Sequence, residues 1–164
     1  MFGLWKAYRG RRAAAAAITP FIDGTRLRLG DIPDSAWHDP YVIGFLGMLI
    51  TVAATRLVGS LDTDTLAAVQ AGAWTDITGM PGDVIGEEIC FLGAANDARF
   101  LSGCSNAESF FQALDAASRQ REQVLDTALR PPPVVEGAGH DVGSALWSRY
   151  FDAHLRGPLI AAEA

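Results

Sequence analysis

Apolar residues recur along this chain at helical spacing, in six blocks separated by glycine, proline and acidic punctuation. The first block begins near Phe2 and reaches the alanines at Ala13 to Ala17, with Phe2, Trp5 and Tyr8 three apart on one side. A Pro- and Asp-rich connector runs from Gly30 to Pro40. The second block, roughly 40–58, has no charged side chain between Asp39 and Arg56. Asp39-Pro40 reads as an N-cap followed by proline at the first helical position, and Gly59 as the stop.

Asp62 is placed to cap a third helix with Leu66, Val69, Ala73 and Ile77 inward, ending at Gly79. Asp83 is placed to cap a fourth, carrying Ile85, Ile89, Leu92 and Asn96 on one line. Ser105-Asn106-Ala107-Glu108 has the form of a capping box opening the longest amphipathic helix, which Pro131-Pro132-Pro133 must end. After a Pro/Gly connector at 131–139, Asp141 is placed to cap a last helix, about 141–156, bearing Leu146, Trp147, Tyr150, Phe151 and Leu155 before Gly157-Pro158. The strand-like alternation from Thr25 to Leu29 lasts five residues and predicts at most an isolated extended arm. The expected fold is all-α: a single domain over 1–164, a bundle of about six helices around the central apolar one.

That central block could suit a membrane or a protein core. A helix from Tyr41 to Thr55 spans about 22 Å against a bilayer core of about 30 Å, which favours the core and argues against an integral membrane protein. Gly44, Gly47, Thr51 and Thr55 form a stripe of small residues for helix packing, so a neighbour is expected to cross closely there and Gly47→Leu to loosen the domain.

Charge changes the picture at the N-terminus. The net charge is -6, yet residues 1–30 hold Lys6, Arg9, Arg11, Arg12, Arg26 and Arg28 against Asp23 alone. The rest of the chain keeps 7 of the 13 basic residues and 18 of the 19 acidic ones. A basic arm at 1–30 thus precedes an acidic body, either to fold onto it or to meet an anionic partner. Nucleic acid is disfavoured as that partner, because the sequence pI is about 4.9. Cys90 and Cys104 fall about 20 Å apart along the chain's helical path, too far for a disulfide. The start resembles an export signal only weakly, since its apolar stretch is mostly alanine. A cytoplasmic location is therefore expected.

Chemistry is sparse. There is no Glu-x-x-His pair for a di-metal bundle, no Cys/His spacing for zinc, and no P-loop or Gly-x-Ser-x-Gly. Asp62-Thr63-Asp64 lacks the later ligands of a calcium loop, and Gly137-Ala138-Gly139 follows no strand. No metal, cofactor or catalytic motif is expected, so an enzyme is not the favoured reading. Three functions remain. The first is a non-catalytic protein acting through protein contacts, with another protein or a second copy, using Trp5, Tyr8, Trp147, Tyr150 and Phe151. The second is a ligand-binding or catalytic pocket at which Glu88, Arg121 and His154 converge. The third is peripheral membrane contact through Lys6, Arg9, Arg11 and Arg12.

Overall fold

The computed structural model describes residues 2–127 and 138–155. Among them the regular elements are all helical: α1 (Phe2–Leu29), α2 (Pro40–Val58), α3 (Thr63–Thr78), α4 (Ile85–Ala94), α5 (Ala98–Thr127) and α6 (Ala138–Trp147). A 3₁₀ turn at Asp34–His38 precedes α2, and a π turn at Ser148–Asp152 carries α6 on to Leu155. This is an all-α bundle of six helices, and α2 runs through its middle. Buried residues occupy α2 from Tyr41 to Gly47 without interruption and continue at Leu49, Ile50, Ala53 and Ala54.

By length and composition α2 could cross a membrane, with 19 residues and a mean hydropathy of 1.8 over its most apolar window. Shortness therefore does not separate the two readings, because 19 residues rise about 28 Å. Burial does bear on them: 61% of that window lies inside the bundle. The ends form as their residues dictate. The Asp39 carboxylate accepts from Tyr41 N at 2.9 Å, and Gly59, at φ +77°, donates its amide to Thr55 O. Asp62 caps α3 through Thr65 N, and Gly79 ends it in the left-handed region.

Several local expectations fail. Helix α1 does not stop in the alanines but continues through Pro20 to Leu29, because Ala14, Ile18, Ile22 and Thr25 give it a continuous buried stripe. Thr25 to Leu29 is consequently helical rather than extended, with Thr25 buried and Leu27 out in solvent. Asp83 is not the cap of α4; Val84 holds that place without a side-chain hydrogen bond. Gly82 is pressed so closely on the Ala71 carbonyl that a Cβ there would collide with it, which sets the turn by packing. Ser105 to Glu108 lies inside α5, not at its start, since Asp97 caps the helix earlier through Arg99 N and Phe100 N. Asn96 is not on the inward line of α4 but in the turn, at φ +49°. The last helix begins at Ala138, ahead of Asp141. The Pro131 stop, most of the 131–139 connector and Gly157-Pro158 lie outside the described residues.

At Gly44 a Cβ would be driven into the Phe100 carbonyl and to 3.2 Å from Cys104 N; at Gly103 it would meet the Tyr41 carbonyl and stand 2.8 Å from Phe45 N. Helices α2 and α5 thus touch backbone to backbone. The next two members of the small-residue stripe meet other helices. Gly47 faces the tip of Ile89 on α4, and Thr51 donates to Gly47 O while accepting from Gln70 of α3. Thr55 donates to Thr51 O within α2.

Beside this crossing, Phe45, Phe110, Phe21 and Phe151 surround Trp147, whose ring stacks on Phe21 at 5.0 Å. Its indole donates to Thr25 Oγ1, which donates to the buried Asp152 carboxylate at 2.6 Å; Arg28 Nε and Ser148 Oγ donate to the same carboxylate. The two cysteines are free, Cys90 exposed on α4 and Cys104 half-buried on α5.

Two expectations follow from this packing. Gly44→Ala should lower stability by about 3 kcal/mol or prevent folding, whereas Gly47→Ala should cost about 1 kcal/mol or less because the Ile89 tip can yield; urea titrations that rank them in the opposite order contradict the crossing. Asp152→Ala should cost about 3–5 kcal/mol, since it strands Arg28 and Thr25 beside an emptied buried site, and a calorimetric melt within a degree of wild type contradicts that network.

Candidate functional site

Helix α1 is held in one rotation by its inner side. Gly10 is buried where Ala54 of α2 and Val69 of α3 approach, and Lys6 Nζ donates to Ser60 O at 3.4 Å. Arg11 forks onto Asp76 of α3 with two bonds of 2.6 Å, and its charge holds that carboxyl below the usual carboxylate range through hydrogen bonding. At its other end α1 sends Arg28 to Asp152. These contacts consume part of the basic arm on the acidic body.

What remains faces outward. At 100° per residue, Leu4, Trp5, Tyr8, Arg9 and Arg12 fall within an arc of about 140°. Leu4 is 80% exposed, Trp5 55% and Tyr8 58%. The Arg9 guanidinium lies over the Trp5 ring, 4.7 Å from its centroid, and Arg12 lies over Tyr8 at 5.8 Å while donating to its hydroxyl at 3.1 Å. No acidic residue occurs before Asp23. The face is therefore an apolar and aromatic surface roofed by two cations.

A second candidate is a cleft of about 670 Å³ lined by Asp39, Tyr41, Ala98, Arg99, Ser102, Ala153 and His154. It forms where the starts of α2 and α5 meet the end of the α6 extension. Tyr41 is fixed there: its hydroxyl donates to the Tyr150 carbonyl and accepts from Asn106 Nδ2, and burial pushes its phenol up. His154 stacks on the Tyr41 ring with centroids 3.7 Å apart. Arg99 donates to Asp39 Oδ2 at 2.7 Å, so its cation already has a counterion. Ser102 and His154 both line this cleft, with no hydrogen bond between them. A smaller cavity of about 210 Å³ lies between Trp37, Trp74, Met80, Pro81, Val84 and Ile85, with His38 and Glu88 on its wall 4.0 Å apart.

The residues singled out in the sequence are thereby scattered. Glu88 lines the smaller cavity, His154 the larger cleft, and Arg121 stands exposed on α5 and lines neither. No hydrogen bond or ion pair joins any two of them. Trp147 is fully buried in the aromatic cluster and has no surface to present; Tyr150 is half-buried, with Arg149 over its ring. Of the four N-terminal cations, Arg9 and Arg12 belong to the outward face, Arg11 is committed to Asp76, and Lys6 is half-buried. Among the described residues no three His, Cys, Asp or Glu side chains come together as a metal site requires. The sequence reading missed Leu4 and Arg99. Leu4 was legible, being four residues from Tyr8; Arg99 was not, since its partner Asp39 lies 60 positions away and only the fold brings them together.

Burial holds His154 below its ordinary value, and nearby Arg99 adds to this against the opposing pull of Asp39. The folded state then binds protons less readily than the unfolded one. This contribution to stability is full above about pH 6.5 and is lost as pH falls through that value toward the folded pKa. An NMR titration should find His154 below 6.5 and rising in Arg99→Gln; a value at or above 6.5 contradicts the cleft geometry. No protein family, curated protein or solved structure matches this chain in comparison.

Proposed function

We propose that this chain is a non-catalytic helical protein that works by contact, and that the contact is made through the outward face of the first three turns of α1. The contrast among the four tryptophans supports this reading. Trp37, Trp74 and Trp147 are 2, 3 and 0% exposed, while Trp5 is 55% exposed. Leaving that ring and the neighbouring Leu4 and Tyr8 in water forgoes about 2 kcal/mol or more of apolar burial, which a partner covering them restores. Tryptophan, tyrosine and arginine are also the residues on which binding energy concentrates. Here they occur together on one helix whose rotation Arg11 and Gly10 hold in place.

Benzoylphenylalanine placed at position 5 or 8 and irradiated in the cell that makes the protein should yield adducts well above those from the exposed position 34. Equal labelling at all three positions would remove α1 as the contact surface.

A further inference from the structure

Resting on that reading, we propose that the partner of the α1 face is an anionic phospholipid surface, on which Leu4, Trp5 and Tyr8 lodge at headgroup level while Arg9 and Arg12 pair with lipid phosphates. The chemistry of the face points there. Tryptophan and tyrosine favour the interface between water and hydrocarbon, where an apolar ring and a polar edge are both satisfied. A leucine that is 80% exposed adds apolar area without a polar tip. Each guanidinium lies against a ring, so cation and ring reach a surface at the same depth. The hydroxyl of Tyr8 and the free edges of both guanidiniums suit phosphate and ester oxygens.

Shape and charge agree. The face is the convex side of a single helix, and none of its five residues lines either cavity described above. A convex strip suits a deformable planar partner better than an extended peptide, which binds along a groove or a strand edge. Charge then sets orientation. The chain beyond residue 30 carries 18 acidic residues against 7 basic ones, so an anionic bilayer repels most of the molecule and attracts the start of α1. A face-to-face contact between two copies would oppose Arg9 and Arg12 to their own equivalents, which disfavours a symmetric dimer through this surface.

The binding is weak and reversible, because the face is short. Each arginine near an anionic surface contributes about fivefold in partitioning. The combination of apolar and cationic contacts is what the two-signal rule for peripheral anchoring requires.

Trp5 supplies a clean reporter, since the other three tryptophans are already buried. Full-length protein is titrated with vesicles of phosphatidylcholine alone or with about 30 mol% phosphatidylserine, an anionic content that gives a strong surface potential. The expected result is a blue shift of tryptophan emission, and quenching by brominated acyl chains, on the anionic vesicles only. Trp5→Phe should abolish the shift. Arg9→Gln combined with Arg12→Gln should weaken partitioning about 25-fold, and about 0.5 M NaCl should weaken it as well. Because all three side chains are exposed, circular dichroism and melting should match wild type in these variants, so lost binding is not lost folding. The absence of any shift on anionic vesicles overturns the proposal, as does an equal shift on neutral ones. If vesicles fail while positions 5 and 8 still cross-link to a protein or to a second copy in cells, the lipid partner is wrong and the contact surface stands. If both fail, the contact reading falls with it.

Discussion

Where α2 crosses α5 the two backbones touch, because Gly44 on one helix and Gly103 on the other leave no side chain between them. Much of the molecule is arranged by that approach. It brings Phe45 of α2 and Phe110 of α5 to ring centroids 6.0 Å apart, so one aromatic layer can form beside the crossing, with Trp147 packed against both rings. It also brings Asn106 of α5 to the Tyr41 hydroxyl, which then reaches the Tyr150 carbonyl and ties the π turn after α6 to both helices. Two bulky helices packed at the usual separation of about 8–10 Å would leave no such convergence.

The second organising element is polar. Thr25 and Asp152 are 127 positions apart, both are buried, and together they satisfy Trp147, Arg28 and Ser148. The π turn at Ser148–Asp152 sits at this network and contributes both Ser148 and Asp152 to it. With Arg11 on Asp76, these contacts divide four of the six basic residues of the N-terminus into two populations, while Lys6 reaches Ser60 O and Arg26 pairs with Asp23 on its own helix. Arg11 and Arg28 are spent on the acidic body, and Arg9 and Arg12 are left over their own aromatic rings. Basic composition alone does not make a contact surface; the rotation of α1 about its axis does, because it decides which cations keep their counterions within the fold.

That division also separates the two groups of aromatic residues that look equivalent in sequence. Trp147 at the end of α6 and Phe151 in the π turn after it face inward and are fully buried, whereas Trp5 and Tyr8 lie opposite the Gly10 and Ala14 side of α1 and remain exposed. The cleft at Tyr41 and His154 is built around contacts already satisfied within the chain: Arg99 with Asp39, and Tyr41 with Asn106 and Tyr150. The α1 face differs from it in having apolar area that nothing in the fold covers.

Helix content, the central place of residues 40–58 and the ends of α2 and α3 were determined by the sequence itself. Periodicity and capping are local, acting within a few residues, and Asp39, Gly59, Asp62 and Gly79 do their work on their own turns. The limits of α1, α4 and α5 were not so determined. A capping box such as Ser105 to Glu108 states only that a helix could begin there, and the packing of Phe100 and Gly103 on α2 carried the helix back to Asp97. Likewise Pro20 costs α1 a hydrogen bond, and burial of Ile18, Ile22 and Thr25 outweighed it. The candidate contact surface was half legible: the residues at 4, 5, 8, 9 and 12 share a helical face by spacing alone. Which cations on that helix stay free, and which aromatics stay wet, depended on Asp76 and Asp152, partners 65 and 124 positions from the arginines they bind. Separations of that length carry no local signal, so only the tertiary structure could decide them.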